Sequence, residues 1–171
     1  MPSSRQENEG RVIWITGLSG AGKTTLARAL LHHLPGALLL DGDELRKALN
    51  VADSAFDAFS RKQLALTYAR LAELLARQGV TVIVATISLF HEVHAWNREH
   101  LPNYLEVFLD VSEEERRRRD PKGLYAGQQA GRVKDMAGAD TRVELPLDPH
   151  LRLNAALSLD EAVRLILAKI E

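Results

Sequence analysis

The chain contains no cysteine. That removes disulfides, thiolate nucleophiles and cysteine-held zinc from consideration, and a reducing, cytoplasmic setting fits. It carries almost no net charge, formally -1 at pH 7 with a pI ≈ 6.6. Neither a nucleic-acid polymer nor an anionic membrane is therefore expected as a partner. Long apolar runs are missing too: the longest, around Val80 to Ile87, falls far short of a bilayer span. Residues 1–10, MPSSRQENEG, lack the apolar stretch of a signal peptide and read as a flexible tail. No internal repeat, no low-complexity segment and no guanine-reading Asn-Lys-x-Asp is found. What remains is an ordinary globular balance, 46% hydrophobic and 26% charged, in 171 residues. That suffices for one domain, 11–171, with one core.

Periodicity alternates between strand and helix along the chain. Apolar runs at 11–16, 37–40, 80–86 and 104–110 predict buried strands, and 151–154 an edge strand. Helical spacing covers 22–34, 43–50, 60–78, 92–100 and 158–170, with Gly79 stopping the third. Ser112 followed by Glu115 resembles a capping box. Residues 121–146, rich in Gly, Pro, Lys and Arg, read as mobile loops around a short helix. Such alternation predicts an α/β fold with right-handed crossovers, a parallel sheet and helices on both faces. Ligands in such folds collect beyond the carboxyl ends of the strands, where every polar cluster of interest lies.

The first cluster is Gly17-Leu18-Ser19-Gly20-Ala21-Gly22-Lys23-Thr24-Thr25. It fits the phosphate-loop pattern G-x-x-x-x-G-K-[ST] between a strand and a helix, as the mechanism of that motif demands. Glycines let consecutive N–H groups face inward onto phosphate oxygens, and the following helix adds its N-terminal dipole. Lys23 is expected at the β- and γ-phosphates of ATP, and Thr24 on Mg²⁺. A small domain with a basic, lid-like segment suits a small-molecule kinase, which must close over two substrates and exclude water.

At the end of the second strand stand Asp41 and Asp43. If that strand neighbours the first, both carboxylates face the phosphate loop. One could anchor Mg²⁺ and the other orient or deprotonate an acceptor hydroxyl. Asp43 is also a candidate helix N-cap. Arg46, three residues on, shares its helical face and could hold an acceptor phosphate. In Glu113–Arg119, glutamates four residues before arginines account for Arg116, Arg117 and Arg118 as helix-supporting pairs. Arg119 and Lys122 flank the break at Pro121 and could reach the transferring phosphoryl group or the ATP base. The last cluster is Ala85-Thr-Ile87-Ser88-Leu89-Phe-His91 with Asn97 and Arg98. His91 and His94 lack the partners of a metal site, so the stretch reads as the rim of an acceptor pocket.

These motifs resemble the adenylylsulfate kinase family. The matching residues are the phosphate loop, Leu40-Asp-Gly-Asp43 with Arg46, Ala85-Thr-Ile-Ser88, Glu106-Val-Phe-Leu-Asp110 and Arg119-Asp-Pro-Lys-Gly-Leu-Tyr125. Weaker matches are Ala130-Gly-Arg-Val-Lys134 and Gly138-Ala-Asp140. The resemblance implies a P-loop kinase fold and transfer of the ATP γ-phosphate to the 3′-hydroxyl of adenosine 5′-phosphosulfate. It also implies Mg²⁺ held by Thr24 and Asp41, and often a homodimer. Catalytic roles carry to Lys23, Asp41, Asp43 and Arg119, and ATP contacts to Gly17–Thr25, Arg119 and Lys122. Acceptor contacts carry to Asp43, Arg46, Phe56, Phe59, Arg61, Ile87, Ser88, Leu89, His91, Asn97, Arg98, Lys134 and Met136. The family serine linked to a covalent phosphoserine falls on Ser88. In-line transfer needs no such step, so acceptor contact is the role read for Ser88.

The departures cluster on the acceptor side. Leu89 stands where the family has proline, and Leu64 and Leu66 where it has asparagine and arginine. Met136 stands where it has phenylalanine. Kinases of cytidine diphosphoramidate, which act in capsule modification, look similar in Asp41–Arg46 and in Thr86–Phe90 followed by Asn97-Arg98. A catalytically silent nucleotide-binding module is the remaining reading. The retained Lys23, Thr24, Asp41 and Asp43 argue against it.

Overall fold

A computed structural model describes residues 9–51, 57–134, 136–139 and 141–171. The elements follow in the order β1 (Arg11–Thr16), α1 (Lys23–His33), β2 (Leu38–Asp41), α2 (Gly42–Ala48), α3 (Ala58–Ala76) and β3 (Thr81–Thr86). Then come α4 (His91–His100), β4 (Leu105–Asp110), α5 (Glu113–Arg119), α6 (Leu124–Gln129), β5 (Leu151–Asn154) and α7 (Leu159–Ile170). The five strands form one parallel sheet in the order β2-β3-β1-β4-β5.

Strand alternation divides the core into two layers. Ile13, Ile15, Ile83, Val107 and Leu109 pack with Leu26, Leu30 and Ile166 under α1 and α7. Val12, Trp14, Val82 and Val84 face Ala69, Ala72 and Val93 on α3 and α4. The small residues of α3 let that helix lie close on the sheet. Each fully buried aliphatic side chain contributes roughly 1.5–3 kcal/mol of transfer free energy, which fixes the strand register.

The two strands that carry the glycine loop and the acidic pair are not neighbours, as the sequence pattern had allowed. β3 lies between β1 and β2, with Asp41 opposite Ala85 and Thr16 opposite Thr86. The chain ends of all three strands still open onto the same edge. Glu9 pairs with Arg77, and the Gly10 N–H donates to the Ala76 carbonyl. A Cβ at Gly10 would overlap the Val80 backbone at 2.0 Å. Ser158 and Glu161 form a full capping box at α7, but at α5 only the Ser112 half is made. Glu115 is drawn off instead by Arg118 and Arg119. No helix among the described residues is long and apolar enough to cross a membrane.

Candidate active site

The loop between β1 and α1 holds Gly20 at φ 81° and Gly22 at φ 97°. These left-handed values cost a glycine little and a side chain much. Gly22 is the N-cap of α1, and no side chain caps that end. The first N–H groups of the helix are thus left for an anion. The Lys23 amine donates to the Leu18 carbonyl at 3.0 Å. Burial, then the charge of Lys122, lowers its pKa to about 7.

A cavity of about 600 Å³ opens in front of this loop, bounded by the ends of β2 and β3, by α2 and α3, and by Val133, Lys134, Met136, Ala137 and residues 141–143. Ser19, Gly20, Gly22, Lys23, Thr24 and Thr25 line it, while Gly17, Leu18 and Ala21 stand behind them. Gly17 and Ala21 hold the loop's curvature, and Leu18 packs against Gly138 of the 133–143 segment.

Asp41 meets α1 directly, because its Oδ2 accepts from the Thr24 hydroxyl at 2.6 Å. Its Oδ1 accepts from the N–H groups of Asp43 and Glu44, so Asp41 rather than Asp43 caps α2. Gly42 lets the turn pass Thr86, whose Oγ1 would sit 3.3 Å from an added Cβ. Asp43 is thereby freed to face the cavity, where its carboxylate is ion-paired to Lys122 from across the site. Burial alone would raise the Asp43 carboxyl. The hydrogen bond and charge of Lys122, with Arg46 and Lys23, outweigh it and hold the group below the ordinary range.

One face of α3 contributes Arg61, Leu64, Ala65 and Tyr68, at helical spacing i, i+3, i+4, i+7. The Tyr68 hydroxyl donates to the Gly42 carbonyl at 3.3 Å, and burial pushes its pKa up to about 12. Arg46 joins from α2. Ile87, Ser88 and Leu89 complete this wall, with Ser88 at φ 37° and its hydroxyl 2.8 Å from that of Thr86. Lys134 and Met136 close the mouth with Thr141, Arg142 and Val143. The turn they belong to is pinned by paired backbone bonds between Met136, Gly138 and Thr141.

Several residues read as acceptor contacts are elsewhere. Phe59 is 68% exposed and off the cavity, and Phe56 lies outside the described residues. His91, Asn97 and Arg98 do not line the cavity, because α4 turns its polar face to the 144–150 segment and to β4. The His91 N–H donates to Glu144, and its Nε2 lies 2.9 Å from the Leu145 carbonyl. Asn97 is fully buried and donates to the Tyr104 hydroxyl. Arg98 neutralises Glu106, which is 1% exposed in β4, and also donates to the Asp148 carbonyl. Arg119 is bound to Glu115 and lies beside the phosphate loop, not in the cavity wall. Trp96 stacks on His100 at 4.3 Å. Among the described residues no group of three His, Cys, Asp or Glu could hold a metal.

Other cavity residues escaped the sequence reading. Tyr68 continues the Arg61–Leu64 helical face, so periodicity carried a signal for it. Arg28 and Arg142 carried none.

Comparison with known proteins places the chain in a family. The sequence profile of the Adenylylsulphate kinase family matches residues 9–154. A cytidine diphosphoramidate kinase from Campylobacter jejuni is 37% identical over 169 residues, covering 96% of this chain and 98% of its own. An adenylyl-sulfate kinase from Picosynechococcus is 35% identical over 169 residues, covering 96% and 95%. Among solved structures, the Mycobacterium tuberculosis APS kinase CysC in complex with AMPPNP and APS superposes with a TM-score of 0.88. It is 36% identical, over 95% of this chain and 98% of that one.

Proposed function

The chain belongs to the adenylylsulphate kinase family, and from that premise we propose that it moves the γ-phosphoryl group of ATP onto the ribose 3′-hydroxyl of adenosine 5′-phosphosulfate. One observation carries the reading. Lys23, the Thr24–Asp41 pair, Asp43 and the cations Arg46 and Arg61 border a single cavity beyond the strand ends. Phosphoryl transfer passes through a loose transition state, so positioning and charge are what a protein must supply. The phosphate loop and α1 hold the triphosphate, and Lys23 follows the γ-phosphoryl charge. Asp43, kept ionised by its cationic neighbours, accepts the hydrogen bond of the attacking hydroxyl and orients it in line. Arg46 and Arg61 take the anionic 5′ end of the acceptor.

The hydroxyl of Thr24 and the carboxylate of Asp41 form a hard-oxygen pair suited to Mg²⁺, which uses few protein ligands beside phosphates and waters. Bound there, Mg²⁺ would neutralise charge on the β- and γ-phosphates. Val133, Lys134, Met136 and residues 141–143, with Lys122, exclude water once both substrates are seated.

A second reading, cytidine diphosphoramidate as acceptor, is favoured by the apolar Leu64 and Leu89 at the acceptor wall and by the Campylobacter jejuni relative. ADP release measured with each of the two acceptors and with simple nucleotides separates these readings. The expected result is the fastest turnover with adenosine 5′-phosphosulfate. Faster turnover of the cytidine acceptor would replace the sulfate reading. Absence of acceptor-dependent ADP release from any of them would leave only a binding module.

A further inference from the structure

The arginine run of α5 is not uniform. Arg117, Arg118 and Arg119 pair with Glu113 and Glu115 on the surface. Arg116 instead turns inward and is 5% exposed. Its Nε donates to the Val111 carbonyl at 3.0 Å, and its Nη1 donates to the Tyr125 hydroxyl. No carboxylate among the described residues forms an ion pair with it, and Glu113 acts on it only at longer range. A buried cation with only neutral partners is costly unless a further negative charge comes to it.

The surroundings indicate where that charge arrives. Tyr125, 3% exposed, passes the chain on, its hydroxyl donating to the Ser19 carbonyl of the phosphate loop at 3.0 Å. Gly20 rests directly on the Arg116 backbone, where an added Cβ would lie 3.0 Å from the Arg116 carbonyl oxygen. Asp120 fixes Tyr125 by accepting from the N–H groups of Tyr125 and Ala126 at the start of α6. The field of Arg116 also reaches Lys23, where it is one of the influences disfavouring the protonated amine.

We infer that Arg116 is a positioning residue of the ATP site, a buried cation joined through Tyr125 to Ser19 that shapes the phosphate loop and favours the triphosphate over the diphosphate. This rests on ATP use by the family and not on the identity of the acceptor, so it is tested without one. Dissociation constants of MgATP and MgADP would be measured by titration calorimetry on the full chain, for wild type and for Arg116→Met, Arg116→Lys and Tyr125→Phe. Arg116→Met is expected to weaken MgATP by about tenfold and MgADP by about threefold, since ADP brings one negative charge fewer. Arg116→Lys, which keeps the charge but gives up the guanidinium hydrogen bonds to Val111 and Tyr125, should weaken both nucleotides by a common factor and keep the wild-type ATP-to-ADP ratio. Tyr125→Phe should weaken the two nucleotides equally.

The same protein preparations would be melted without nucleotide. A residue serving only the fold would lower the melting temperature and leave the ATP-to-ADP ratio unchanged. An unaltered ratio in Arg116→Met would overturn the proposal. So would an ATP-to-ADP ratio in Arg116→Lys shifted as far as in Arg116→Met. If Arg116→Met does not fold, Arg116→Gln is read in its place, and failure of both to fold would assign Arg116 to the fold alone.

Discussion

Replacing Lys23 by methionine should abolish phosphoryl transfer and at the same time stabilise the nucleotide-free enzyme. The Lys23 amine has a pKa of about 7, against 10.5 for a free lysine, and burial is the largest cause. Between about pH 7 and 10.5 the unfolded chain therefore holds a proton on Lys23 that the folded chain has released. Stability must rise with pH across that window, and the full penalty is present below it. At about 1.4 kcal/mol per tenfold, the ceiling on that penalty is about 5 kcal/mol. Lys23 borders an open cavity and keeps some contact with water, so a gain of about 1–2 kcal/mol is expected for Lys23→Met near pH 6. Urea unfolding of both proteins at about pH 6 and about pH 10 measures it. Wild type should gain stability between the two pH values by more than the variant does. Equal pH dependence in the two proteins, or a less stable variant at the lower pH, would refute the reasoning.

Asp41→Asn keeps an oxygen to cap α2, so it should fold normally but need more Mg²⁺ for half-maximal rate. Asp41→Ala should lose about 1 kcal/mol of stability as well, read by thermal melting. Arg98→Met strips the buried Glu106 of its cation and should cost about 2–3 kcal/mol in urea unfolding. The acceptor KM of that variant should not change, because Arg98 is not a cavity residue. Gly138→Ala pushes a methyl group to 2.7 Å from the Leu18 side chain at a positive φ. It should lower kcat/KM several-fold in steady-state assays and lower the melting temperature by a few degrees, since a side chain in the left-handed region costs about 1–2 kcal/mol.

The sequence pattern carried the parallel α/β fold because helical spacing separates every pair of successive strand runs, and the phosphate loop because its chemistry is local. The Asp41–Thr24 contact was reachable only as a guess about strand neighbours, and β3 in fact intervenes. Asp41 captured the cap that Asp43 could equally have made, a choice set by a two-residue shift of the helix start. The misplaced residues share a cause. His91, Asn97 and Arg98 are polar and follow a strand end, but helix phase turned them toward Glu144, Tyr104 and Glu106. Glu144 is remote in sequence, while Tyr104 and Glu106 are close in sequence but are brought under α4 only by the turn into β4. Arg116 looked like its three neighbours in the run, and only the fold could reveal that one member points inward.

The most direct test of the 3′-hydroxyl assignment is the phosphorus-31 spectrum of the product formed from ATP, Mg²⁺ and adenosine 5′-phosphosulfate. A new phosphomonoester signal coupled to the ribose H3′ proton, with the 5′ phosphosulfate intact and ADP formed in equal amount, is the expected result. A phosphoryl group on the 2′-hydroxyl or on the 5′ substituent, or ADP formed without any phosphorylated nucleotide, would contradict it.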